Sequence, residues 1–399
     1  MRKIIVQKFG GTSVADTDKI KNVAKTVIRE KENGNDVVVV VSAMGHTTDY
    51  LVKMAKDLSP NPSGREMDML LSTGEGVSIA LLAMAIQAQG YDAVSFNAMQ
   101  IGIMTENIHS KARIIDIKTD KLKENLRQGK IIVVAGFQGV TEDGEITTLG
   151  RGGSDTSAVA LAAALNAERC DIYTDVEGVY TTDPRVVPNA SRLNEISYEE
   201  MLELAHAGAN VLHPRSVETA KQFNVPMRVR SSFKLDNLGT LVLGVDKMEI
   251  YKPVAGVAAD LSQARIVVCD VPDKPGVAAK LFSKLAKENI SVDMIIQSYA
   301  RKVSNTNDIA FTVDASDLPK TVEALEALKA EIGATGDVQV DENIAKVSIV
   351  GAGMIDRPGV ASTMFETLAE QGINIRMIST SEIKISCLVD KDQAQRAVR

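Results

Sequence analysis

Lys8-Phe9-Gly10-Gly11-Thr12-Ser13 is the stretch whose reading decides the first half of the chain. An apolar, β-branched run, Ile4-Ile5-Val6, precedes it, and Asp18 to Ile28 follows with apolar residues at helical spacing. The pattern predicts a strand, a tight glycine turn and a helix. Adjacent glycines let the backbone approach a ligand closely, and a helix start aims free N–H groups outward, so the turn suits an anion. Lys8, at the strand end, reaches the same place. A Walker A loop is excluded, because there the lysine follows its glycines and here it precedes them. A plain βα turn, with glycines for sharp reversal, accounts for the local features equally well. The rest of the chain has to separate the two readings.

Composition narrows the field. At 399 residues the chain exceeds one ordinary core, and two or three domains are expected. A hydrophobic share of 45% and a charged share of 24% are those of a globular protein. The formal charge of -7, the absence of Trp and an aromatic share of 4% argue against nucleic acid as a partner. No apolar run is expected to reach the length of a membrane span, and the N-terminus carries no signal-peptide pattern, so no membrane partner and a cytoplasmic location are expected. Cys170, Cys269 and Cys387 each sit alone in an apolar, strand-like run and are expected to be buried free thiols. His46, His109, His206 and His213 have no metal-ligand spacing.

Along the chain, Asp36 to Ser42 reads as a central parallel strand covered on both faces. It ends in Ser42-Ala-Met-Gly-His-Thr-Thr48-Asp49, small and hydroxylic residues where open α/β sheets bind ligands, with Thr48 or Asp49 as a helix N-cap. Glu66 to Gln89 is helical in pattern but interrupted at Ser72-Thr-Gly-Glu75-Gly76. Two glycines there are unfavourable by roughly 1 kcal/mol each, which points to a close approach or a helix start, with Glu75 placed to bind an amine or to cap a helix. Lys130 to Gly136 is another buried strand, and Gly144 to Gly150 reads as a short hairpin. Arg151-Gly-Gly-Ser154-Asp155 then opens an Ala-rich helix, Ala158 to Ala167, as a second glycine turn carrying an anion-binding Arg. Cys170 to Thr174 is a strand ending in Asp175, and the polar turn to Tyr180 and Arg185 suits a base and phosphates. Ser197 to His206, with Ser197 as N-cap and Glu200 closing a capping box, and Pro214 to Phe223 read as helices. Lys234 to Pro253 lacks periodicity and reads as a crossing between domains.

The C-terminal third repeats itself. Asp273 to Ser298 aligns on Asp356 to Ser381 without a gap, with 12 of 26 positions identical. Each copy runs from a strand through an Asp-basic-Pro-Gly turn into an amphipathic helix and a second strand, a βαβ-type α+β module. Two such sheets are expected to pair edge to edge, around a ligand pocket or as a dimerisation module.

Together the Lys8-Phe-Gly-Gly-Thr-Ser-Val14 motif, the Ser42 turn, Ser72-Thr-Gly-Glu75, Gly150-Arg-Gly-Gly-Ser-Asp155 and the paired repeats resemble the aspartokinases of the amino-acid kinase family, whose tandem repeats are ACT domains. The resemblance covers nearly the whole chain in order. It implies a mostly parallel α/β sandwich of the amino-acid kinase type over 1–233, a linker over 234–263 that carries a strand of the second ACT module, ACT module 1 over 264–342 and ACT module 2 over 343–399, with an apparently truncated C-terminus. It implies ATP-dependent phosphorylation of the side-chain carboxylate of L-aspartate to 4-phospho-L-aspartate, the first step toward lysine, threonine and methionine, with ATP as substrate and Mg²⁺ bridging its phosphates through ligands the sequence does not identify. Lys8 and Asp155 are then catalytic. Thr48, Glu75, Arg151 and Ser154 bind aspartate. Lys8, Phe9, Gly10, Gly11, Ser42, Thr174, Asp175, Tyr180 and Arg185 bind ATP. Asn210 stands where some relatives carry a lysine.

The resemblance further implies feedback by lysine, threonine or both. One effector pocket would be lined by Asp273, Lys274, Gly276, Val277, Ala278, Asp293 and Gln297 with Asn374 and Ile375. Asp356, Val360, Thr363 and Glu382 match a second. ACT pairing implies a homo-oligomer, and an internal start at Met248 leaves open a separately made regulatory chain.

Overall fold

The computed structural model describes residues 2–244, 252–299, 301, 305–355 and 357–399. Met248 and Asp356 therefore lie outside the described residues. The chain forms two compact units, Met1–Thr181 with Ser191–Ala205 and Asn210–Ile250, and Thr182–Ala190 with His206–Ala209 and Tyr251–Arg399.

The first unit holds strands β1 (Ile4–Phe9), β2 (Asp36–Val41), β3 (Ala93–Phe96), β4 (Ile103–Thr105), β5 (Ile114–Ile117), β6 (Ile131–Ala135), β7 (Gln138–Val140), β8 (Ile146–Thr148), β9 (Arg169–Thr174), β10 (Glu195–Ser197), β11 (Met227–Ser231) and β12 (Thr240–Leu243). Its helices are α1 (Thr17–Glu32), α2 (Thr47–Leu58), α3 (Gly64–Gln87), α4 (Ala98–Ile101), α5 (Asp120–Arg127), α6 (Gly153–Ala164), α7 (Tyr198–His206) and α8 (Pro214–Phe223). Continuous valine runs such as Val37 to Val41 are wholly buried, as a parallel strand covered on both faces requires. The main sheet has the order β10-β12-β11-β9-β1-β2-β6-β3 and is parallel except between β11 and β12. Phe9, Val37, Val39 and Val41 pack with Val23, Val27 and Leu82 of α1 and α3 on one face. On the other, α6 lies against β1, β2 and β9 and is backed by α8. The chain moves from β1 to β2, β3 and β6 on one side, then returns through α6 to β9 on the other. The reversal between β1 and β9 is a topological switch point, where ligands bind beyond the carboxyl ends of the strands. The strands β5-β4-β7-β8 form a separate small sheet.

Several expectations need correction. A 3₁₀ turn, Gly11–Val14, separates the glycine pair from α1, whose N-cap is Asp16. The helix α3 runs through Gly74 and Gly76 without a break. The reason differs at the two glycines: a Cβ on Gly74 would lie 2.8 Å from Ala43 Cβ, whereas one on Gly76 would meet nothing within 4 Å. This helix is also long and apolar enough to cross a membrane by length and composition, contrary to the sequence reading. Its buried side is covered by α1, the main sheet and β8 of the small sheet, with Asp68 buried where it accepts from Thr148 Oγ1 of β8 at 2.6 Å and Glu75 buried farther along. Neither Thr48 nor Asp49 caps α2, which follows His46. The Ala-rich helix begins at Gly153, so Asp155 falls in its first turn. The linker expected from 234 still contains β12, which lies between β10 and β11 in the main sheet. Cys170 and Cys387 are buried, but Cys269 is only partly so. The Ser197–Glu200 capping box is present, with Ser197 Oγ accepting from Glu200 N at 3.1 Å and Glu200 Oε2 accepting from Ser197 N at 3.1 Å.

The second unit contains β13 (Gly256–Asp260), β14 (Gln263–Pro272), β15 (Asp293–Gln297), β16 (Thr306–Asp314), β17 (Val338–Asp341), β18 (Ile344–Val350), β19 (Met377–Thr380) and β20 (Lys384–Asp390), with helices α9 (Val277–Lys287), α10 (Leu318–Ile332), α11 (Val360–Glu370) and α12 (Ala394–Val398). Two antiparallel sheets result, β15-β16-β14-β17 and β13-β18-β20-β19. Because β13 precedes the first module in sequence yet completes the sheet of the second, the first module interrupts the second. Among the described residues the two sheets are not hydrogen-bonded edge to edge. They meet through side chains, Met294 and Ala310 against Ile344, Met377 and Leu388. The identical Pro-Gly turns have a physical cause: Gly276 and Gly359, at φ of 92° and 102°, precede α9 and α11 in the left-handed region.

The two glycines of α3 separate packing from propensity. Gly74→Ala is expected to destabilise the first unit by about 1–3 kcal/mol through overpacking. Gly76→Ala should stabilise it by up to about 1 kcal/mol. Urea unfolding midpoints of the two variants check this.

Candidate active site

Strand alternation turns Lys8 toward α6 while Phe9 turns toward α1. Asp155, in the first turn of α6, places its carboxylate near the positive end of that helix. Lys8 Nζ and Asp155 Oδ1 are 2.6 Å apart, with only 12% and 14% of the two side chains exposed. Asp155 Oδ1 makes no aligned hydrogen bond among the described residues. The pair is a close contact of opposite charges, and an ammonium has three donors, so one carboxylate oxygen does not exhaust the lysine.

The glycine pair now resolves between its two readings. Gly10 is extended, with φ -73° and ψ 168°, and Gly11 is not in the left-handed region. A Cβ on Gly11 would lie 2.9 Å from Ala43 O and 3.0 Å from Gly45 O, and one on Gly10 would lie 3.5 Å from Lys8 Nζ. Gly11 is glycine for close approach to the loop after β2 and not for chain reversal, whereas the contact at Gly10 is an ordinary one.

A cleft of about 270 Å³ opens above the pair, lined by Lys8, Gly10, Gly11, Ser42, Thr48 and Glu75 and by Phe137 and Gly150 through Asp155. Every residue that the sequence reading gave to aspartate, Thr48, Glu75, Arg151 and Ser154, is on its wall. Ser42 Oγ donates to Ser154 Oγ at 3.0 Å, joining the end of β2 to α6. Glu75 is almost fully buried. It accepts from Ala43 N at 3.2 Å and from Gln138 Nε2 at 3.5 Å. Burial pushes its carboxyl up to about 7, with these hydrogen bonds opposing the rise.

Five of the expected nucleotide residues do not line this cleft. Phe9 is buried and stacked on Tyr173 at 4.5 Å, so only its backbone is available to a ligand. Thr174 and Asp175 follow the strand next to β1 and bond each other, Thr174 Oγ1 donating to Asp175 Oδ1 at 3.1 Å. Tyr180 forms a β-bridge with Arg192. Arg185 lies in the other compact unit, where it pairs with Asp183 at 2.7 Å.

The structure adds residues that the sequence reading did not place. A Cβ on Gly152 (φ +70°) would come within 2.2 Å of His213 Cγ, so that side chain seats the second glycine turn. Arg215 donates to Leu149 O at 2.7 Å and to Ala112 O at 2.6 Å, fixing the backbone that leads into Gly150 and Arg151. Ser232 Oγ bonds Ser13 Oγ at 2.6 Å and donates to Thr174 O at 3.1 Å, tying the glycine loop to β9. Phe137 holds a positive φ of 69° on the cleft wall. The Pro after His213 marked a helix start in the sequence, but nothing local pointed toward the cleft.

In the second unit, Asp293 is already engaged, with about half of its side chain still exposed. It pairs with the buried Lys346 of β18 at 2.7 Å, which holds its carboxyl below the usual range against the opposing effect of burial. Val277 and Ala278 pack on the core of the first module and Ile375 on that of the second. Asp273 accepts from Asn307 Nδ2 at 3.2 Å. Lys274, Gln297, Asn374 and Glu382 are exposed, Val360 is half-buried, and Thr363 Oγ1 donates back to Gly359 O at 3.0 Å.

Residues 3–231 match the amino acid kinase family, and residues 265–330 and 347–399 match ACT domains. An aspartokinase of Geobacillus stearothermophilus is 55% identical over 395 residues, covering 99% of this chain and 95% of the relative. The chain belongs to the aspartokinases of the amino acid kinase family. The crystal structure of E. coli aspartokinase III in complex with aspartate and ADP superposes with a TM-score of 0.83 at 30% identity, covering 100% of this chain and 98% of that one. The same relative in complex with lysine and aspartate gives 0.76 at 30% identity, covering 99% and 98%. The fold of the kinase unit and the antiparallel ACT sheets are those of the family, and the chain is a kinase that phosphorylates a carboxyl group.

Close approach at the glycine loop has a direct consequence. Gly11→Ala should weaken ATP binding at least tenfold, because its Cβ meets two backbone carbonyls that cannot rotate away. Titration with ATP checks this, and circular dichroism checks that the fold is kept.

Proposed function

We propose that the cleft transfers the γ-phosphoryl group of MgATP to the side-chain carboxylate of L-aspartate, giving 4-phospho-L-aspartate and ADP. The observation that carries this reading is the meeting, in one cleft, of the Lys8–Asp155 pair, a glycine loop open to phosphate, a buried carboxylate and an exposed arginine. A carboxylate oxygen of aspartate attacks the γ-phosphorus, and the bond to the bridging oxygen breaks, leaving its electron pair on ADP. The nucleophile is already ionised, so no general base is required. Catalysis is then positioning and charge neutralisation. Lys8 neutralises charge on the transferring group, Gly10 and Gly11 donate backbone N–H groups, and Asp155 orients Lys8. Arg151 and Ser154 hold a carboxylate of aspartate, Glu75 its ammonium, and Thr48 and Ser42 the space between substrate and phosphate. Thr174, Asp175 and Tyr180, at and beyond the end of β9, attend the nucleotide. The described residues hold no cluster of three His, Cys, Asp or Glu side chains fit for a metal. Mg²⁺ is therefore read as entering with the nucleotide, whose phosphates it neutralises.

The ACT modules are read as a feedback site for lysine and threonine, end products of the pathway this phosphorylation opens along with methionine. The lysine-bound relative supports an amino-acid effector. Neither α9 nor α11 has a side-chain cap, so first-turn N–H groups stand beside the Asp-basic-Pro-Gly turn for an effector carboxylate. The edge strands β15 and β19 carry exposed Ile295, Ile296 and Ile378, which supports pairing with a second copy. Free thiols suit the cytoplasm.

An ADP-release assay with aspartate, glutamate, N-acetylglutamate and UMP tests the reaction: turnover is expected with aspartate alone, and none with aspartate refutes it. Lys8→Ala should lower kcat by orders of magnitude and leave effector binding nearly unchanged. Asp273→Ala or Gln297→Ala should relieve inhibition by lysine and threonine, by an amount set by couplings of about 1–3 kcal/mol.

Glu75 sets a pH dependence. An ammonium needs the ionised carboxylate, so kcat/KM for aspartate should fall about tenfold per pH unit below about 7 and level off above it. Glu75→Gln should remove that inflection. The stability sign is opposite. Between 4.5 and about 7 the folded protein holds a proton that the unfolded chain has lost, so stability falls as pH rises through this window. Glu75→Gln should therefore raise the Tm above pH 7 while lowering kcat/KM.

A further inference from the structure

A second cavity, of about 330 Å³, lies in the first unit on the α1 side of the main sheet. The end of α1 and strands β9 and β11 form its walls. Three guanidinium groups line it, from Arg29, Arg169 and Arg230, against a single carboxylate, that of Glu30.

The charges are unevenly matched. Arg169 is engaged, with Asp171 at 2.9 Å and Glu30 at 3.2 Å. Glu30 is engaged too, since it also accepts from Asn35 Nδ2 at 2.6 Å. Arg230 makes its hydrogen bonds to neutral groups, Nη1 donating to Tyr173 Oη at 3.0 Å and Nη2 to Leu235 O at 2.8 Å, while the Asp171 carboxylate, already paired with Arg169, acts on it at longer range. Its Nε is buried without a partner among the described residues. Arg29 stands at the rim with 62% of its side chain exposed, its nearest acid being Asp236 at 3.7 Å, itself wholly exposed. Beside Asp171 in the sheet register, Gln7 is fully buried with neither amide atom partnered. A half-buried guanidinium with a free donor is costly unless an anion meets it, and its planar fork suits an oxyanion.

We propose that this cavity binds a small phosphorylated molecule, its phosphate held by Arg230 and Arg29, at a site distinct from the catalytic cleft. The several donors around the cavity suit the three or more oxygens of a phosphate better than the two of a carboxylate. The occupant has a path to the catalytic loop. Arg230 holds Tyr173 by its hydroxyl, Tyr173 stacks on Phe9 at 4.5 Å, and Phe9 lies between Lys8 and Gly10.

Isothermal titration of the full chain with inorganic phosphate at fixed ionic strength tests the site. Phosphate also has access to the catalytic cleft, so Arg151→Gln serves as the background, and binding is expected to persist there. Adding Arg230→Gln should weaken that remaining binding about tenfold or more. Adding the rim change Arg29→Gln, which leaves the buried network intact, should do the same. Arg29→Gln alone should keep its ADP-release activity, showing that the fold is undisturbed. Loss of all phosphate binding in Arg151→Gln overturns the proposal, and so does an affinity unchanged by Arg29→Gln.

Discussion

The kinase unit depends on one ion pair. Lys8 comes from the end of a buried strand and Asp155 from the first turn of the helix that crosses back over it. Two opposite charges that are nearly removed from water must stay together, because either one alone is a buried uncompensated charge. The pair therefore fixes the register of α6 on β1. That register places Ser154 on Ser42 and brings Arg151 and the glycines between them to the cleft wall. The same contact holds a cation on the wall of the cleft, so under the proposed reaction a structural constraint and a catalytic one would share two side chains.

Around the pair, the fold spends its polar groups on holding backbone. Arg215 pins the strand before Gly150, His213 fills the space that Gly152 leaves open, and Ser232 binds the glycine loop to its neighbouring strand. None of these side chains lines the cleft, yet each limits where a cleft residue can sit, as a preorganised site requires. Glu75 is the counterexample. Its burial is unfavourable for the folded state at neutral pH, and it has no full positive partner among the described residues, which is the signature of a group kept for a ligand.

The second unit answers a different constraint. Two modules of the same pattern meet through side chains, with Lys346 of one neutralising Asp293 of the other. A carboxylate that looked available to an effector is thereby absorbed into the join between modules.

Local chemistry decided much of this protein from sequence alone. Valine runs call for buried parallel strands, Pro-Gly repeats mark helix starts, and two glycine turns with Lys and Arg suit an anion. It was the family resemblance that joined the motifs around Lys8, Glu75 and Arg151 to Asp155 into one site, since each taken alone also fitted a plain turn or a helix cap. Tertiary structure alone decided what depends on contacts distant in the chain. The role of Gly74 rests on Ala43, the interrupted ACT module on β13 pairing with β18, the burial of the Phe9 side chain on Tyr173, and the pairing of Asp293 on Lys346. The Lys8–Asp155 pair belongs to both accounts. Each partner was legible in its own turn, but their separation of 2.6 Å follows from a crossover that spans most of the first unit and that no local pattern encodes.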